Sequence, residues 1–580
     1  MQKINSFIQH SIKSLYGMEF SPEISPAPKP ELGEYCMNIF PIVKQVGKAP
    51  NMISEEVAVE LAKDGKIFKS TSATGGYVNF FLTDSMWIEI FQNANIQKTK
   101  DKNWETIIVD YIGANVGKPL HIGHICTPSI GQSIINTYRY LGYTVIWDTH
   151  IWDWWLFGKL IAAHKLFGRS DGLSTGWVEY LLELYIEITA RCESDPSIEE
   201  YCRNEFKKLS IGDEENMKLW WEFTSISLLS MNAILAKIHV VPNYDIGESF
   251  YENLPLPKIG DQPPLIYTMN DVIDELLEKK IAIKNEDGSV AVIFPEETKI
   301  PSIIIQKKNG TNLYLTADIC AIKYRLSNGW NPIKIIYAVD LRQQMHFRQC
   351  FEICSMAGWL NNIEIYHAGN GHIALPDGAM STRKWNIIRL EDLLEEGIER
   401  TRKILEEKWR IGEKALTEKD IQEIAIGAIK YSYLMQDRER NITFDWDKAL
   451  SFEWHSGPYI QYAYVRAMKI SELWMNSGTL SEQFRVNNSE LTIHDKSLIQ
   501  ILSRFEESVA MTAKTYKPHH IALYAYELAV GFNSFYVHTP KILEETDEWL
   551  KTLRLALVSK TADTLKKSFE LLAIEMPSEM

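Results

Sequence analysis

The stretch GANVGKPLHIGH, residues 113 to 124, decides the fold. It follows the short apolar run TIIVDYI (106–112), which is typical of a buried strand, and it leads into a helix-periodic stretch. His121 and His124 stand at positions i and i+3 in the first helical turn, where free backbone N–H groups and the helix dipole favour a phosphate. Gly123 would let a base or ribose approach the backbone closely. This strand, turn and helix therefore predict a nucleotide-binding edge of a sheet.

A second unit of this kind lies far downstream. IKIIYAVDL (333–341) predicts a strand, QQMHFRQCFEICSMAG (343–358) a helix, and IEIYHAG (363–369) the next strand, just as YTVIWD (143–148) continues the first unit. Two such units form a doubly wound parallel sheet, which binds ligands at the carboxyl ends of its strands. The fold class is therefore α/β, with a Rossmann-type domain.

The chain divides into three predicted domains. Residues 1–100 read as a small α+β domain, and 101–395 hold the Rossmann-type domain with a mostly helical insertion at about 159–300. Residues 396–580 are almost entirely helical in pattern. A bare HxxH motif is more often solvated or core-filling than functional, but its place at the end of the first parallel strand favours function.

Composition excludes several classes of partner. With 61 basic and 76 acidic residues the net charge is -15, so we expect no DNA-coating protein, although a local basic groove stays possible. The seven cysteines show no CxxC pair, which predicts a reduced, cytoplasmic protein without structural zinc. MQKINSFIQHSIKSLYG (1–17) alternates polar and apolar residues at helical spacing, so we expect no signal peptide. No apolar run of 18 residues occurs, so we expect no membrane partner.

The loop DGAMSTRKWN (377–386) is a candidate clamp for a triphosphate. Ser381, Thr382, Arg383 and Lys384 follow one another, and their cations match the charge that develops on a leaving pyrophosphate. A basic loop alone is usually just solvated. The order of HIGH followed by this loop in one chain makes the pair specific.

These motifs resemble those of the arginyl-tRNA synthetases, a family of class I aminoacyl-tRNA synthetases in which HIGH is followed by a KMSKS-type loop. The resemblance includes GGYVNFFL (75–82), which is similar to that family's tRNA-elbow-binding module, and it extends over the whole chain. The other stretches that carry it are GANVGKPLHIGH, HIWDWW (150–155), YLTADICAIKYR (314–325), VDLRQQMHF (339–347), MSTRKWN (380–386), LSFEWHSGPYIQYAYVRA (450–467), YELAVGFNSFY and LLAIEMPSEM.

The resemblance implies an arginine–tRNA ligase that uses ATP with Mg²⁺, arginine and tRNA(Arg), and that is a monomer. Positioning and electrostatics would supply most of the rate of such a reaction. The catalytic residues implied are Lys118, His121, His124, Arg383 and Lys384, and the ATP-binding residues are His121, Gly123, His124, Asp153, Met380 and Ser381. Lys118 stands where this family places a lysine that replaces the second lysine of the clamp loop.

Recognition of arginine needs acceptors for a five-donor guanidinium, which carboxylates meet best. The residues at the family's arginine-binding positions are Asp110, Asn115, Tyr314, Asp318 and Gln343, and we expect Asp110 and Asp318 to face the guanidinium or the α-amino group. Without the family, Tyr314 and Asp318 would equally suit an ordinary helix start. A site of buried hydrogen-bonding groups should refuse lysine without editing.

The helical last third resembles the family's anticodon-binding bundle. Aromatic faces and a guanidinium suit stacking on splayed bases, although each tyrosine alone could equally pack between helices. The tRNA-binding residues expected are Asn79, Tyr459, Gln461, Tyr462 and Arg466. Because the chain is acidic overall, tRNA binding should depend on local patches and on salt.

Four tryptophans depart from the family pattern. Trp152, Trp155, Trp385 and Trp454 stand where the family has glycine, whereas Trp154 matches the family's own tryptophan. Glycine at 31 of 580 residues is about ten short of average usage. The codons GGA and UGA differ at one base, and alternative genetic codes read UGA as glycine or as tryptophan. Our hypothesis is that the gene uses UGA for glycine and that the printed sequence assigns it to tryptophan.

Three other readings stay open. The first is a synthetase-like protein that binds tRNA but has lost catalysis, and the second is another class I nucleotidyltransferase, which should lack an anticodon bundle. The third, a structural helical scaffold, would not need HIGH, MSTRK and two parallel-sheet units in this order.

Overall fold

The computed structural model describes residues 1–29, 31–94, 102–169, 178–252, 254, 261–375, 388–408, 416–453, 455–475 and 490–580. The described chain forms two compact units. Unit 1 combines 1–96 with 466–506 and 527–564, and unit 2 combines 97–465 with 507–526 and 565–580.

The described amino-terminal part of unit 1 consists of four helices and a four-stranded sheet. Their bounds are α1 Gln2–Tyr16, β1 Ile24–Pro26, β2 Tyr35–Asn38, α2 Phe40–Val46, α3 Pro50–Leu61, β3 Phe68–Thr74, β4 Tyr77–Leu82 and α4 Asp84–Asn93. The strands pair antiparallel in the order β1-β2-β4-β3. The α+β character predicted for this region is confirmed.

The elements from residue 102 to residue 374 build the nucleotide fold. They are β5 Lys102–Tyr111, α5 Cys126–Tyr140, β6 Tyr143–Ile151, α6 Phe157–Phe167, α7 Val178–Ser194, α8 Pro196–Ser210, α9 Glu214–Lys237, β7 Tyr244–Gly247, α10 Met269–Glu278, β8 Ala282–Lys284, β9 Val290–Val292, β10 Ile303–Gln306, α11 Tyr314–Ser327, β11 Pro332–Ala338, α12 Gln344–Met356, β12 Glu364–His367 and β13 Ile373–Ala374.

The remaining elements are nearly all helices, as the pattern predicts. They are α13 Leu390–Lys408, α14 Glu418–Leu434, β14 Ile442–Thr443, α15 Trp446–Ala449, α16 Gly457–Met475, α17 Ile493–Leu502, α18 Phe505–Thr515, α19 His519–His538 and α20 Glu548–Leu571. No helix in the described ranges is long and apolar enough to cross a membrane.

The main sheet of the described chain has five parallel strands in the order β12-β11-β5-β6-β7. The chain runs outward from β5 through β6 to β7, and the other way from β11 to β12. The switch point therefore lies between β5 and β11, where such folds bind their ligands. Gly142 and Gly358 adopt left-handed backbone angles just after α5 and α12, as expected for glycines that end helices.

The segment at about 159–300, predicted to be mostly helical, also contains two stretches of strand. Tyr244–Gly247 joins the main sheet beside β6 as its edge strand β7. The stretch from 282 to 306 forms an antiparallel three-stranded sheet, because its short β-branched runs are separated by turns and are too short for helices.

Candidate active site

The HIGH sequence forms a tight 3₁₀ turn, Ile122–Ile125, at the carboxyl end of β5 and just before α5. His121 Nδ1 accepts a hydrogen bond from the backbone N–H of Gly123 at 3.1 Å, and His124 Nδ1 accepts one from the N–H of His121 at 3.0 Å. The two rings lie 3.9 Å apart between centroids. Since both Nδ1 atoms accept, both neutral rings carry their proton on Nε2 and can donate it to a phosphate oxygen.

Both histidines are neutral at physiological pH. Burial, together with nearby His372, Arg342 and Lys118, lowers the pKa of His121. Burial and the adjacent His121 lower the pKa of His124 to about 3. The turn therefore offers hydrogen-bond donors to a polyphosphate and no fixed histidine charge.

The residue that directly follows strand β5 has a strained backbone. Ile112 has a φ of 64°, in the left-handed region that β-branched residues rarely enter, and it is only 1 % exposed. Strain of this kind collects at functional sites, where packing holds it in place.

Met380, Ser381, Arg383 and Lys384 lie in 376–387, outside the described residues, and so does Trp385. The residue pairs just beyond that segment are described. Ile122 N–H donates to Ile388 O at 2.9 Å, and Leu390 N–H donates to Leu120 O at 2.8 Å. The first residues described after the clamp-loop segment, 388–390, are therefore paired with the backbone around HIGH.

Lys118 lies before the HIGH turn with its ammonium 4.0 Å from the centre of the Tyr185 ring on α7. A cation at this distance is held by the ring's quadrupole. The helical insertion thus supplies a contact for the cation that the family resemblance makes catalytic.

A cavity of about 380 Å³ opens at the switch point. Three of the five predicted arginine-binding residues, Asn115, Tyr314 and Gln343, line it together. Its other lining residues are Trp152, Trp155, Leu156, Glu248, Lys307 and Leu313. These residues come from the ends of different strands and from α11, so only the fold brings them together.

Asp318 lies one turn along α11 from Tyr314, and its side chain points to two histidines. Asp318 Oδ2 is 2.6 Å from His346 Nε2, and Asp318 Oδ1 is 3.5 Å from His150 Nε2. Burial would raise the pKa of Asp318, but His150 and the hydrogen bond from His346 hold it below its usual value. Asp318 is therefore an anion beside the cavity.

Glu248 is a cavity residue that the sequence reasoning missed. It is 3 % exposed, and its Oε2 has no hydrogen-bond partner among the described residues. Burial, then the charges of Asp318 and Asp153, raises the pKa of Glu248 well above its usual value. An unpartnered buried acid of this kind fits a ligand that brings a cation. Glu248 stands in GESFY (247–251), where a lone glutamate after a short strand carries no local sequence signature.

Asp110 pairs with an internal guanidinium. Arg325 Nη2 donates to Asp110 Oδ2 at 2.6 Å and to Asp148 Oδ2 at 2.7 Å, and Arg325 Nη1 donates to the Tyr337 hydroxyl at 2.7 Å. Asp110 is 2 % exposed, and burial raises its pKa. The structure gives Asp110 this internal partner, so its role toward substrate arginine stays a prediction.

Asp153 is also engaged internally. Its Oδ1 accepts the N–H of Ser249 at 2.9 Å and its Oδ2 accepts the Ser249 hydroxyl at 2.5 Å. Burial raises the pKa of Asp153 to about 6, although Ser249 opposes the shift. The carboxylate thus fastens the loop after β6, and its contact with ATP stays a prediction.

Trp152 and Trp155 form part of the cavity wall, whereas Trp154 is 1 % exposed and packs edge-on against Phe206. The backbone of Trp152 is clamped between Ala114 O at 2.9 Å and Val116 N at 3.2 Å. Neither Trp152 nor Trp155 has a positive φ. The backbone conformation at these two positions therefore does not itself require glycine. Trp454 lies outside the described residues.

Two residues predicted to bind tRNA are buried. Asn79 on β4 is 3 % exposed, and Gln461 is fully buried with its amide donating to Glu423 O and Glu575 O. In this structure the side chain of Asn79 is buried on a face of the sheet, and that of Gln461 is buried and hydrogen-bonded to backbone carbonyls. Their burial gives no support for direct contact with tRNA, which stays a prediction for both residues.

The other three are partly accessible. Within unit 2, Tyr459 packs on Tyr526 with ring centroids 5.7 Å apart, and Tyr462 is partly exposed. Within unit 1, Arg466 donates to Asn533 Oδ1 at 3.0 Å and lies over the Tyr536 ring. Tyr459, Tyr462 and Arg466 stay predicted RNA contacts.

One group of side chains in the described ranges has metal-ligand spacing. The ligand atoms of Asp318, His346 and Cys350 lie within 4.8 Å of one another. A thiol and an imidazole do not suit Mg²⁺, which prefers oxygen ligands. Burial also raises the pKa of the Cys350 thiol well above its usual value, so the thiol stays protonated. We assign no reaction step to a Mg²⁺ ion at this group.

The parallel sheet, the HIGH turn at its switch point and the helical carboxyl-terminal part define the class I aminoacyl-tRNA synthetases. The model of the family "tRNA synthetases class I (R), catalytic domain" matches residues 88–446. The arginyl tRNA synthetase N terminal domain matches 2–82, and the DALR anticodon binding domain matches 460–580.

The particular family follows from these matches and from full-length relatives. The arginine–tRNA ligase of Fusobacterium nucleatum is 36% identical over 100% of this chain and 99% of its own, and that of Clostridium perfringens is 33% identical over 95% of each. The chain belongs to the arginyl-tRNA synthetase family. In fold it is similar to the synthetase of Thermus thermophilus, with a TM-score of 0.78 at 23% identity over 100% of both chains, and to that of Plasmodium falciparum, with 0.77 at 23% over 100% and 99%.

Proposed function

We propose that this chain joins arginine to tRNA(Arg) in two steps. A carboxylate oxygen of arginine attacks the α-phosphorus of ATP, the bond to the bridging oxygen breaks, and arginyl-adenylate and diphosphate form. The terminal 2′-hydroxyl of the tRNA then attacks the arginyl carbonyl carbon, and AMP leaves. The observation that carries the proposal is the cavity at the switch point that Asn115, Tyr314 and Gln343 line together.

Phosphate handling falls to the HIGH turn and the clamp loop. Neutral His121 and His124 donate from Nε2 to phosphate oxygens, and Gly123 leaves room for adenosine. Arg383 and Lys384, with Met380 and Ser381, would close on the triphosphate, because the segment that holds them continues into residues paired with HIGH. Lys118 would leave the Tyr185 ring and add a cation to the departing diphosphate. Mg²⁺ would arrive with ATP, held mainly by phosphate oxygens.

Selection of arginine falls to the acids at the cavity. Asp318 supplies a fixed anion, and Glu248 supplies a second acceptor once it gives up its proton to bind the cation. A lysine ammonium would leave some of these acceptors unpaired, and the cost of unpaired buried polar groups gives the specificity.

The printed tryptophans favour a second candidate, a tRNA-binding protein without catalysis. Trp152 and Trp155 stand in the cavity wall, and the indole nitrogen of Trp155 is buried without a partner among the described residues. Two indoles there leave less room for ATP and arginine. Glycine at both positions would remove the two indoles from the cavity wall and leave more room for ATP and arginine.

Two measurements test the proposal. The codons at 152, 155, 385 and 454 are read from the gene, and UGG at all four would overturn the recoding hypothesis. The full-length chain is then made both as printed and with glycine at these four positions. Arginine-dependent charging of tRNA(Arg) and ATP–diphosphate exchange with tRNA present are measured for both. We expect activity in the glycine form, and its complete absence there favours the second candidate.

The remaining assignments are also proposals. Tyr459, Tyr462 and Arg466 would contact the tRNA, and the protein would act as a cytoplasmic monomer. The domain limits 1–100, 101–395 and 396–580 stay proposals. The family matches over 2–82, 88–446 and 460–580 follow the same order but put the second boundary later in the chain. Salt should weaken tRNA binding strongly, because phosphate contacts release counterions.

A further inference from the structure

One buried histidine touches two of the proposed arginine-binding residues at once. His346 on α12 is 9 % exposed, and its Nε2 lies 2.6 Å from Asp318 Oδ2. Its ring is stacked on the Tyr314 ring, with centroids 4.4 Å apart and planes 11° apart. None of the roles assigned above accounts for this side chain.

We propose that His346 is a positioning residue that turns the Asp318 carboxylate toward the substrate guanidinium. The inference rests on the proposed function, because it concerns the arginine site of that reaction. A 2.6 Å hydrogen bond to a carboxylate is a short, charge-assisted one, and it fixes the carboxylate plane. With Oδ2 occupied, Oδ1 is the oxygen available to a ligand.

The hydrogen bond from His346 keeps the Asp318 carboxylate from turning to a second histidine, His150. His150 on β6 lies on the other side of the carboxylate, 3.5 Å from Oδ1, and neither of its ring nitrogens has a hydrogen-bond partner among the described residues. A terminal carboxylate rotates easily about its last side-chain bond. Without the donor on His346, Asp318 can turn to bond His150, and its free oxygen would then be lost to the ligand.

The second contact of His346 separates two explanations of its role. The stack on Tyr314 would persist with any aromatic ring, whereas the bond to Asp318 needs an N–H donor. His346→Phe therefore keeps a ring and removes the donor, and His346→Gln keeps an N–H at a similar reach and removes the ring. Cys350→Ala is a matched control on the same helix, since Cys350 Sγ lies 3.7 Å from His346 Nε2 but Cys350 does not line the cavity.

The three variants are made in whichever full-length form, with tryptophan or with glycine at the four positions, charges tRNA, and this form is the parent. Dissociation constants for arginine and for ATP are measured by equilibrium binding, KM for arginine and kcat by charging, and folding by thermal unfolding. We expect His346→Phe to weaken arginine binding by about 10- to 100-fold, the worth of a hydrogen bond to a charged group. His346→Gln should stay within about 3-fold of the parent and Cys350→Ala should bind as the parent does, with ATP binding unchanged throughout.

The outcomes are distinguishable. Equal loss of arginine binding in the Phe and Gln variants, or no loss in the Phe variant, overturns the positioning role. Loss of ATP and arginine binding together also overturns it, since that indicates general damage. If His346→Phe does not fold, the folded Gln variant decides, because loss of arginine binding there contradicts the proposal. A parent that neither binds nor transfers arginine would instead overturn the proposed function itself.

Discussion

Two carboxylate clusters lie along α11, seven residues apart on the same face of the helix. Around Arg325, two aspartates and the Tyr337 hydroxyl surround an internal guanidinium that is fully buried. Around Asp318, one oxygen is held by His346 and the other faces His150 and the cavity region. The first cluster contains its own cation and the second does not.

The comparison separates structural acids from acids that await a ligand. A buried carboxylate is stable when its partner is part of the chain, as it is for Asp110. Near Asp318, the unpartnered atoms of Glu248 and His150 leave that requirement open. The chain thus binds one guanidinium permanently, and the proposed function supplies the second as substrate.

The largest effect is expected from removing the internal cation. Arg325→Met should lower the free energy of unfolding by about 3–5 kcal/mol, because it leaves buried carboxylates without their partner. Urea unfolding of the full-length protein measures this loss. A loss below about 1 kcal/mol would contradict the structural role of the cluster.

The second effect is on ligand binding and not on folding. Asp318→Asn should weaken arginine binding by about 100-fold, since it removes a charge-assisted bond to the guanidinium. Its stability should change by less than about 1 kcal/mol, because the amide can still pair with His346. Equilibrium binding and urea unfolding on the same sample check both. If Asp318→Asn destabilises the chain as much as Arg325→Met, the two clusters do not differ as described.

The smallest effect is expected at Asp153, a buried acid that is hydrogen-bonded to Ser249 but has no cation as its partner among the described residues. Its folded-state pKa of about 6 lies above the ordinary 3.8, so the folded state binds the proton more tightly. Its contribution to stability is therefore highest below about pH 4 and falls as pH rises through about 6. Asp153→Asn should remove this dependence and raise stability at pH 8 by up to about 3 kcal/mol, less the loss of one Ser249 hydrogen bond that an amide nitrogen cannot accept. The free energy of unfolding of parent and variant is measured between pH 4 and pH 8. If the two curves stay parallel over this range, the raised pKa of Asp153 is refuted.

Much of the site could be predicted from local pattern. The HIGH turn follows from one contiguous stretch, and the family resemblance adds Asn115, Tyr314 and Gln343, which do line one cavity. Glu248 and His346 were missed, because a lone glutamate after a short strand and a histidine inside a helix carry no local signature. Asp110 shows the reverse case, in which a residue at an expected position is engaged by Arg325, more than 200 residues away in sequence.

The amino-acid sequence by itself determined the fold class, the order of the motifs and the positions where tryptophan replaces an expected glycine. These depend on short-range patterns, namely apolar periodicity, turn residues and motif spacing. Only the tertiary structure decided which acids have a partner within the described chain and which do not. It also decided that two of the four tryptophans stand in the cavity wall. Burial and partner identity depend on residues that are distant in sequence, and they set the charge of each acid.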